Sequence, residues 1–250
     1  MNEKSKIISV AALVILLIVG AFIVFRFLLV PKEVGPETIS SPGVIPQLPS
    51  PPNSGITSRI NVGNAANKDE IKNAFNEYKS KAFSEDIKKD QVNWYEFFGK
   101  DGKIILLDQF SSSVGLAVNN NLKKVLDKRN YDTFFCAEGG SGRSFGLMLN
   151  EKLLPTYPHL HADVVSWMKE WESSIFKDTH TVLLPNVDFN PAELDQKLNF
   201  KEGKYRYAEI NLPDGRKSSI NYQIIGDSII ISTSVACLDK ASNDVEDQVP

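Results

Sequence analysis

Several residue types are scarce in this 250-residue chain, and each scarcity excludes a class of protein. Only two cysteines, Cys136 and Cys237, are present, and neither has a second cysteine or a histidine at the spacing of a zinc site. The 28 basic and 31 acidic residues are interspersed, without a basic block that could neutralise a phosphate backbone. We therefore expect no metal, no cofactor and no nucleic-acid partner.

Long apolar runs are also rare, because only residues 7–30 (IISVAALVILLIVGAFIVFRFLLV) have the length needed to cross a bilayer. A helix of that length extends about 36 Å, and the hydrocarbon core of a bilayer is about 30 Å thick. A cleaved signal peptide would have a shorter apolar region followed by small residues at the cleavage site. The run instead ends in bulky residues, from Phe25 to Val30, so we expect an uncleaved transmembrane helix.

The basic residues near this run give a bias in orientation. Lys4 and Lys6 precede the run, which favours a cytoplasmic location for residues 1–6. We therefore expect a single-pass protein of the cell membrane, inserted in the lipid bilayer through residues 7–30. The rest of the chain would then lie outside the cytoplasm.

The region that follows is rich in proline. Residues 31–56 contain seven prolines, which fix φ and remove backbone donors, so we expect an extended spacer of up to about 80 Å. Residues 57–241 then have the length and composition of one folded domain. Residues 242–250 contain three acidic residues and no basic one, and we expect a disordered acidic tail.

Helical periodicity appears at two places in the predicted domain. Residues 68–83 have apolar side chains on one face, and residues 162–176 repeat this pattern. The members of these two stripes are Ile71, Ala74, Phe75, Tyr78 and Ala82 in the first, and Val164, Met168, Trp171 and Ile175 in the second. A third helix, ending near Arg129, is predicted between them.

Strand-like segments rich in β-branched and aromatic residues occupy much of the remainder. Residues 131–136 and 144–149 predict a hairpin, and residues 103–107 a short strand. Residues 204–212, 217–225 and 228–234 predict an antiparallel meander, separated by turn residues. The predicted fold is α+β, with a mainly antiparallel sheet and the two amphipathic helices packed on one of its faces.

Two alternatives remain open for the cysteines. In an oxidising compartment Cys136 and Cys237 could form one disulfide that closes a long loop. They could equally be two small buried residues on neighbouring strands.

Candidate catalytic groups are few. The glycine-rich residues 137–143 precede a strand-like run, whereas a phosphate-binding loop precedes a helix. His159 and His161 alternate before the second helix, where either could act with a serine or with Asp163 in a hydrolase. This pattern matches no known catalytic motif, so we assign no catalytic, cofactor-binding or metal-binding residue.

Several segments together suggest a relationship: WYEFF, NYDTFFCAEGG, GLML, WESSIFKD, RYAEINL and SINYQIIGDSIIISTS. Over residues 92–240 the chain resembles the C-terminal half of uncharacterised bacterial single-pass membrane proteins. Those proteins have one N-terminal spanning helix, a proline-rich linker and an α+β extracytoplasmic domain. The resemblance implies the same topology and location, and no site residues.

These expectations favour a non-catalytic function, that of a membrane-tethered extracytoplasmic module that binds or assembles with an envelope protein. This hypothesis predicts an exposed apolar patch larger than a few hundred Å² on the domain. The competing hypothesis is a membrane-anchored hydrolase of the envelope. It requires His159 or His161 to meet its partner groups in one cleft.

Overall fold

The structure is a computed structural model, and it describes residues 57–84, 91–138, 142–152 and 160–247. The predicted transmembrane helix and the proline-rich linker lie outside the described residues, as does His159. The described residues belong to one compact unit. None of the helices in these ranges is both long enough and apolar enough to cross a membrane.

The described residues form seven strands and seven helices. In chain order the strands are β1 (Thr57–Asn61), β2 (Val92–Phe98), β3 (Leu126–Ala137), β4 (Arg143–Glu151), β5 (Arg206–Asn211), β6 (Lys217–Ile225) and β7 (Ser228–Ser232). The helices are α1 (Lys68–Ser84), α2 (Leu107–Val114), α3 (Asn120–Val125), α4 (Leu160–Trp171), α5 (Ile175–Leu183), α6 (Pro191–Leu194) and α7 (Val235–Glu246).

All seven strands lie in one sheet, in the order β1-β2-β3-β4-β7-β6-β5. The α+β class, the hairpin of β3 and β4, and the meander of β5, β6 and β7 are confirmed. The sheet is mixed because β1 and β2 pair in parallel, whereas the other neighbours are antiparallel. Helix α1 connects the parallel pair as a crossover, as parallel pairing requires.

Helix α1 forms as the sequence predicts. The Oδ1 atom of Asn67 accepts a hydrogen bond from the backbone N–H of Asp69 at 3.0 Å, which caps the first turn. The predicted apolar stripe is buried. At the other end, Nε of Arg143 donates to the carbonyl oxygen of Ala82 at 2.8 Å and satisfies one of the last carbonyls of the helix.

The second predicted helix is divided into α4 and α5. Its apolar stripe, including Trp171 and Ile175, is buried as expected. The break follows from side-chain hydrogen bonds, since Oδ2 of Asp178 accepts from Nε1 of Trp171 at 2.8 Å and from Oγ of Ser174 at 2.7 Å. These bonds stabilise the turn between the two helices.

The sheet has a core on each face, because successive side chains of a strand point to opposite sides. Tyr95 and Phe135 belong to the first core, to which α1 and α4 both contribute. Trp94 and Phe134 belong to the second core, with the buried residues of α7. The prediction of helices on one face therefore holds for α1 and α4, but α7 covers the other face.

A disulfide joins Cys136 in β3 to Cys237 in α7, with the two Cα atoms 5.7 Å apart. Both residues are buried in the second core. The alternative of two unbonded cysteines on neighbouring strands is wrong, since the two are bonded and Cys237 lies in a helix, although both are buried as it expected. The bond fixes α7 on the second face of the sheet.

The disordered acidic tail was predicted to begin at residue 242, which is too early in the chain. Helix α7 continues to Glu246, so residues 242–246 are helical and the prediction of disorder is wrong for them. Ser242 and Val245 are buried against the second core region. Val245 packs in the second core, and Oγ of Ser242 donates to Oε1 of Gln223 at 3.1 Å, so both positions hold the extended helix on the sheet.

The middle region also differs from the prediction. Residues 103–107 supply a single bridge, between Ile104 and Phe98, before α2 begins at Leu107. The predicted helix ending near Arg129 stops at Val125, and β3 begins at Leu126, which pairs with Glu151. Strand structure therefore replaces the predicted helix over residues 126–129, where Leu126 is the residue paired with β4 before the register shifts.

Candidate functional site

The histidines of the hydrolase hypothesis do not form a catalytic group in the described part of the chain. His161 lies in the first turn of α4 and is exposed. No hydrogen bond joins it to a serine or carboxylate among the described residues. Nδ1 of His180 lies 2.8 Å from the carbonyl oxygen of Lys177. Within the described ranges, no three metal-ligating side chains come together.

The turn between β1 and α1 resembles an anion-binding turn in its position, but a side chain of the protein occupies it. Oε2 of Glu70 accepts from the backbone N–H of Asn64 at 2.6 Å, and Oε1 accepts from Nδ2 of Asn67 at 3.0 Å. The positive end of α1 therefore already faces a carboxylate. The sequence analysis missed this turn because β1 was not predicted.

Gly63 permits this arrangement, since its φ is 76° and a Cβ atom there would lie 2.2 Å from Oε2 of Glu70. We expect Gly63→Ala to lower the free energy of unfolding by about 1 to 3 kcal/mol, because it strains the backbone and displaces the Glu70 carboxylate. Urea denaturation of the purified chain measures this loss.

Gly102 provides the matched control. Its φ is 77°, but a Cβ atom there would meet nothing within 4 Å. Gly102→Ala should therefore show the backbone strain alone and a smaller loss than Gly63→Ala. Equal losses would mean that the contact with Glu70 contributes nothing to stability.

A second polar cluster ties α4 to the C-terminal meander. Arg206 in β5 forms two hydrogen bonds with the carboxylate of Glu172, at 2.9 and 2.8 Å, and the Tyr222 hydroxyl donates to the same carboxylate at 2.6 Å. These bonds satisfy the carboxylate within the protein. We therefore interpret the cluster as structural.

At the outer edge of β5, most of the outward-facing backbone groups are already hydrogen-bonded. The backbone N–H and carbonyl of Tyr207 both pair with Lys201, and those of Asn211 both pair with the side-chain amide of Gln196. A closed edge is a common protection against pairing with another strand. A partner strand would therefore find few free groups at this edge.

An open depression of about 460 Å³ lies along the exposed side of α1. Its lining consists of Asn76, Lys79, Ser80, Phe83 and, after α5, Asn186. Asn76 lies three and four positions before Lys79 and Ser80, and Phe83 lies four and three positions after them, so the four α1 residues share one side of the helix. The depression is therefore a polar groove with an aromatic ring at one end.

Phe83 is unusual in its exposure. Its relative exposure is 48%, and the other exposed large hydrophobic residue of the described ranges is Val235, at 43%. These two side chains alone do not supply the several hundred Å² of apolar surface that the binding hypothesis predicts. The Phe83 ring packs on Phe145, with ring centroids 5.7 Å apart.

Three charged residues form a row across neighbouring strands on the second face, and we call them the carboxyl row: Arg59 in β1, Glu96 in β2 and Asp132 in β3. Nε of Arg59 donates to Oε2 of Glu96 at 2.7 Å. Continuing the β2–β3 ladder by one residue beyond Tyr95 and Thr133 places Glu96 opposite Asp132. Both carboxyl groups are buried.

One member of the row, Asp132, has a raised pKa. Burial, followed by the negative charge of Glu96, raises the pKa of Asp132 to about 7. Glu151, at the end of β4, is a separate case in which burial, followed by the charge of Asp227, raises the pKa to about 7. A carboxyl with such a pKa could transfer protons at neutral pH, but neither described depression is lined by the row.

No family model, curated protein or solved structure matches this chain. The sites must therefore be judged on their own geometry. Neither the groove on α1 nor the carboxyl row is evident from the sequence. Glu96 and Asp132 do stand out as acidic residues within the apolar segments VNWYEFF and NYDTFF, but only the strand register places them side by side.

Proposed function

We propose that this chain is a membrane-tethered, extracytoplasmic module that binds or assembles with an envelope partner and performs no catalysis. The observation that carries the proposal is the half-exposed Phe83 ring at the end of the groove on α1. An aromatic side chain supplies much contact area at low entropic cost, and such residues are enriched where proteins bind each other. The polar lining would then orient the partner.

The location rests on two supports. The apolar run of residues 7–30 has the length and ending of an uncleaved membrane anchor. Cys136 and Cys237 form a disulfide, and disulfides persist in oxidising compartments and are rare in the cytosol. Both agree with a domain held outside the cytoplasm by the proline-rich linker.

The geometry of the groove limits the kind of contact. Asn76, Lys79, Ser80 and Asn186 offer donors and acceptors, and none of them carries a negative charge. The Phe83 ring is the one large apolar group among the described residues of the lining. We therefore expect a small, mixed contact with a neutral or acidic surface, of the kind found in transient complexes.

Site-specific photocrosslinking in intact cells tests the proposal. A photoreactive amino acid replaces Ser80, which is exposed in the groove, and the full-length chain is recovered after irradiation. In the chain that retains Phe83, we expect a crosslink between the photoreactive residue and an envelope component. Phe83→Ala should reduce its yield roughly fivefold, since about half of a phenylalanine's apolar contact is lost.

Two controls make the result specific. Val235→Ala removes the other exposed large hydrophobic side chain of the described surface and should leave the yield unchanged. A photoreactive residue at Lys217, which is exposed at the start of β6, should capture nothing. A cytoplasmic partner would refute the location, and a yield unaffected by Phe83→Ala would refute the binding surface.

A further inference from the structure

The two edges of the sheet are formed by β5 and β1, and they differ in protection. The outward backbone groups of β5 are bonded to Lys201 and to Gln196. Strand β1 lacks two common protections of an edge, since residues 57–61 contain no proline and pair with β2 without a shift in register. The β1 edge is therefore the place at which the described sheet could accept another strand.

The backbone of β1 turns two residues outward. The N–H group of Val62 donates to the carbonyl oxygen of Phe98 in β2 at 2.8 Å. Backbone groups of successive residues point to opposite sides of a strand, so those of Ile60 also face β2, whereas those of Arg59 and Asn61 face away from it. No other described strand lies on that side. Two N–H groups and two carbonyl groups are thus available for pairing at this edge.

A depression of about 370 Å³ lies beside this edge. Its lining includes residues 61–63 at the end of β1 and Glu70, Asn73 and Glu77 of α1. Helix α1 packs on the first face, so side chains that an added strand directs to that face would reach the depression. In strand addition, main-chain hydrogen bonds supply affinity and pockets for alternate side chains supply specificity. The β1 edge and the depression together have both parts.

Arg59 gives the second-face side of this edge a positive charge. Its Nε atom donates to Oε2 of Glu96 at 2.7 Å, and its Cζ atom lies 5.5 Å from the centroid of the Phe98 ring. Both contacts draw the guanidinium toward β2, so it does not cover the outward backbone groups of β1. Nη1 and Nη2 bond to no described residue, and the side chain is 59% exposed. A guanidinium that uses Nε for one carboxylate still offers these two nitrogens to a second acceptor.

The charge at this edge selects the partner. Residues 57–61 contain one basic residue and no acidic one, so pairing between two copies of β1 would bring like charges together. A strand with an acidic side chain would instead bring a carboxylate to the free nitrogens of Arg59. Charge complementarity therefore favours an acidic segment of another protein over a second copy of this chain.

We propose that the outer edge of β1 is a binding site for an extended, acidic segment of a partner protein, which adds to the sheet as a further strand. The segment bonds the backbone groups of Arg59 and Asn61, directs a carboxylate to the Arg59 guanidinium, and places alternate side chains in the depression. This site goes beyond the proposed contact through the groove on α1, because the depression and the groove are lined by different residues.

A random library of nine-residue peptides tests the site on the full-length chain in detergent micelles. We expect the bound peptides to be enriched in Asp or Glu between β-branched residues, because β-branched residues favour extended strands. Replacing the acidic residue of an enriched peptide by its amide should weaken binding roughly fivefold, since a charge-assisted hydrogen bond is lost. A library without enrichment, or an enrichment in basic residues, would overturn the proposal.

Methylation of single backbone nitrogens in an enriched peptide shows whether the peptide binds as a strand. Only every second N–H group of an added strand faces β1, so we expect losses of roughly tenfold or more at alternate positions and nearly unchanged binding between them. This measurement uses the natural chain, and it therefore does not depend on the stability of any variant. Equal losses at all positions, or no loss at any, would exclude strand addition.

Three variants assign the binding to β1. Asn61→Pro removes an outward N–H group and leaves the bonds of Ile60 and Val62 to β2, so it should weaken peptide binding roughly tenfold or more. Asn61→Ala, the matched control, loses only the side-chain bond to the N–H of Gly63 and should bind the peptide normally. Phe83→Ala should also bind it normally, which separates this site from the groove. If Asn61→Pro binds as the natural chain does, or if either control loses the peptide, the β1 edge is not the site.

Discussion

Replacing both Cys136 and Cys237 by alanine is expected to lower the free energy of unfolding by about 2 to 5 kcal/mol. The bond joins residues 101 positions apart, so its loss frees a long loop in the unfolded chain. The loop-closure model gives about 4.7 kcal/mol for a loop of about 100 residues. Chemical denaturation of the full-length chain, followed by tryptophan fluorescence, measures the change.

The natural chain treated with a reductant is the control. Once reduced, it should unfold at nearly the same denaturant concentration as the double variant, because both lack the crosslink. The buried bond should resist reduction of the folded protein and become accessible as α7 detaches. A double variant that matches the oxidised natural chain in stability would contradict the expected role of the bond.

The same bond reports on the compartment in which the domain folds. Cells quenched in acid and then treated with a thiol-alkylating reagent should yield a chain in which neither cysteine is modified until reductant is added. Free thiols in the cell would instead place the domain in a reducing compartment. The disulfide thus connects a stability measurement with the proposed location.

The parts of the fold that the sequence predicts are those with strong local patterns. The strands of the β3–β4 hairpin and of the meander are rich in β-branched and aromatic residues and bounded by turns, although β7 has only five residues. The stripe of α1 has five buried members at helical spacing. For these elements the signal lies within one stretch of chain, and prediction and structure agree.

The parts that the sequence does not predict depend on partners far along the chain. Strand β1 has five residues and follows prolines, and its parallel neighbour β2 begins 31 positions beyond its last residue, Asn61. The break between α4 and α5 depends on one carboxylate, that of Asp178, which bonds both sides of the turn. Neither feature has a local pattern strong enough to reveal it.

The two candidate sites cannot be predicted from the sequence for a related reason. The carboxyl row exists only because strand pairing aligns residues 59, 96 and 132. The groove on α1 exists because Asn186, after α5, lies opposite a helix side whose residues look like ordinary surface residues in the sequence. Both sites thus require tertiary structure before their residues can be grouped.

Gly146→Ala is expected to lower the free energy of unfolding by about 3 kcal/mol, the upper part of the range for overpacked cores. Gly146 lies opposite Phe134 in the β3–β4 ladder, and a Cβ atom there would be 2.0 Å from Cζ of the Phe134 ring. The ring cannot move away easily, because it is fully buried and its centroid lies 4.6 Å from that of Trp94. Denaturant unfolding measures the loss.

A double-mutant cycle shows whether the ring is the cause. Phe134→Leu alone should destabilise the domain by leaving a cavity, but in the Gly146→Ala background it should remove the overlap as well. The double variant should therefore be more stable than the sum of the two single losses predicts, by about 1 kcal/mol or more. If the two losses of stability are strictly additive, the loss in Gly146→Ala comes from the backbone at residue 146 and not from overlap with the Phe134 ring.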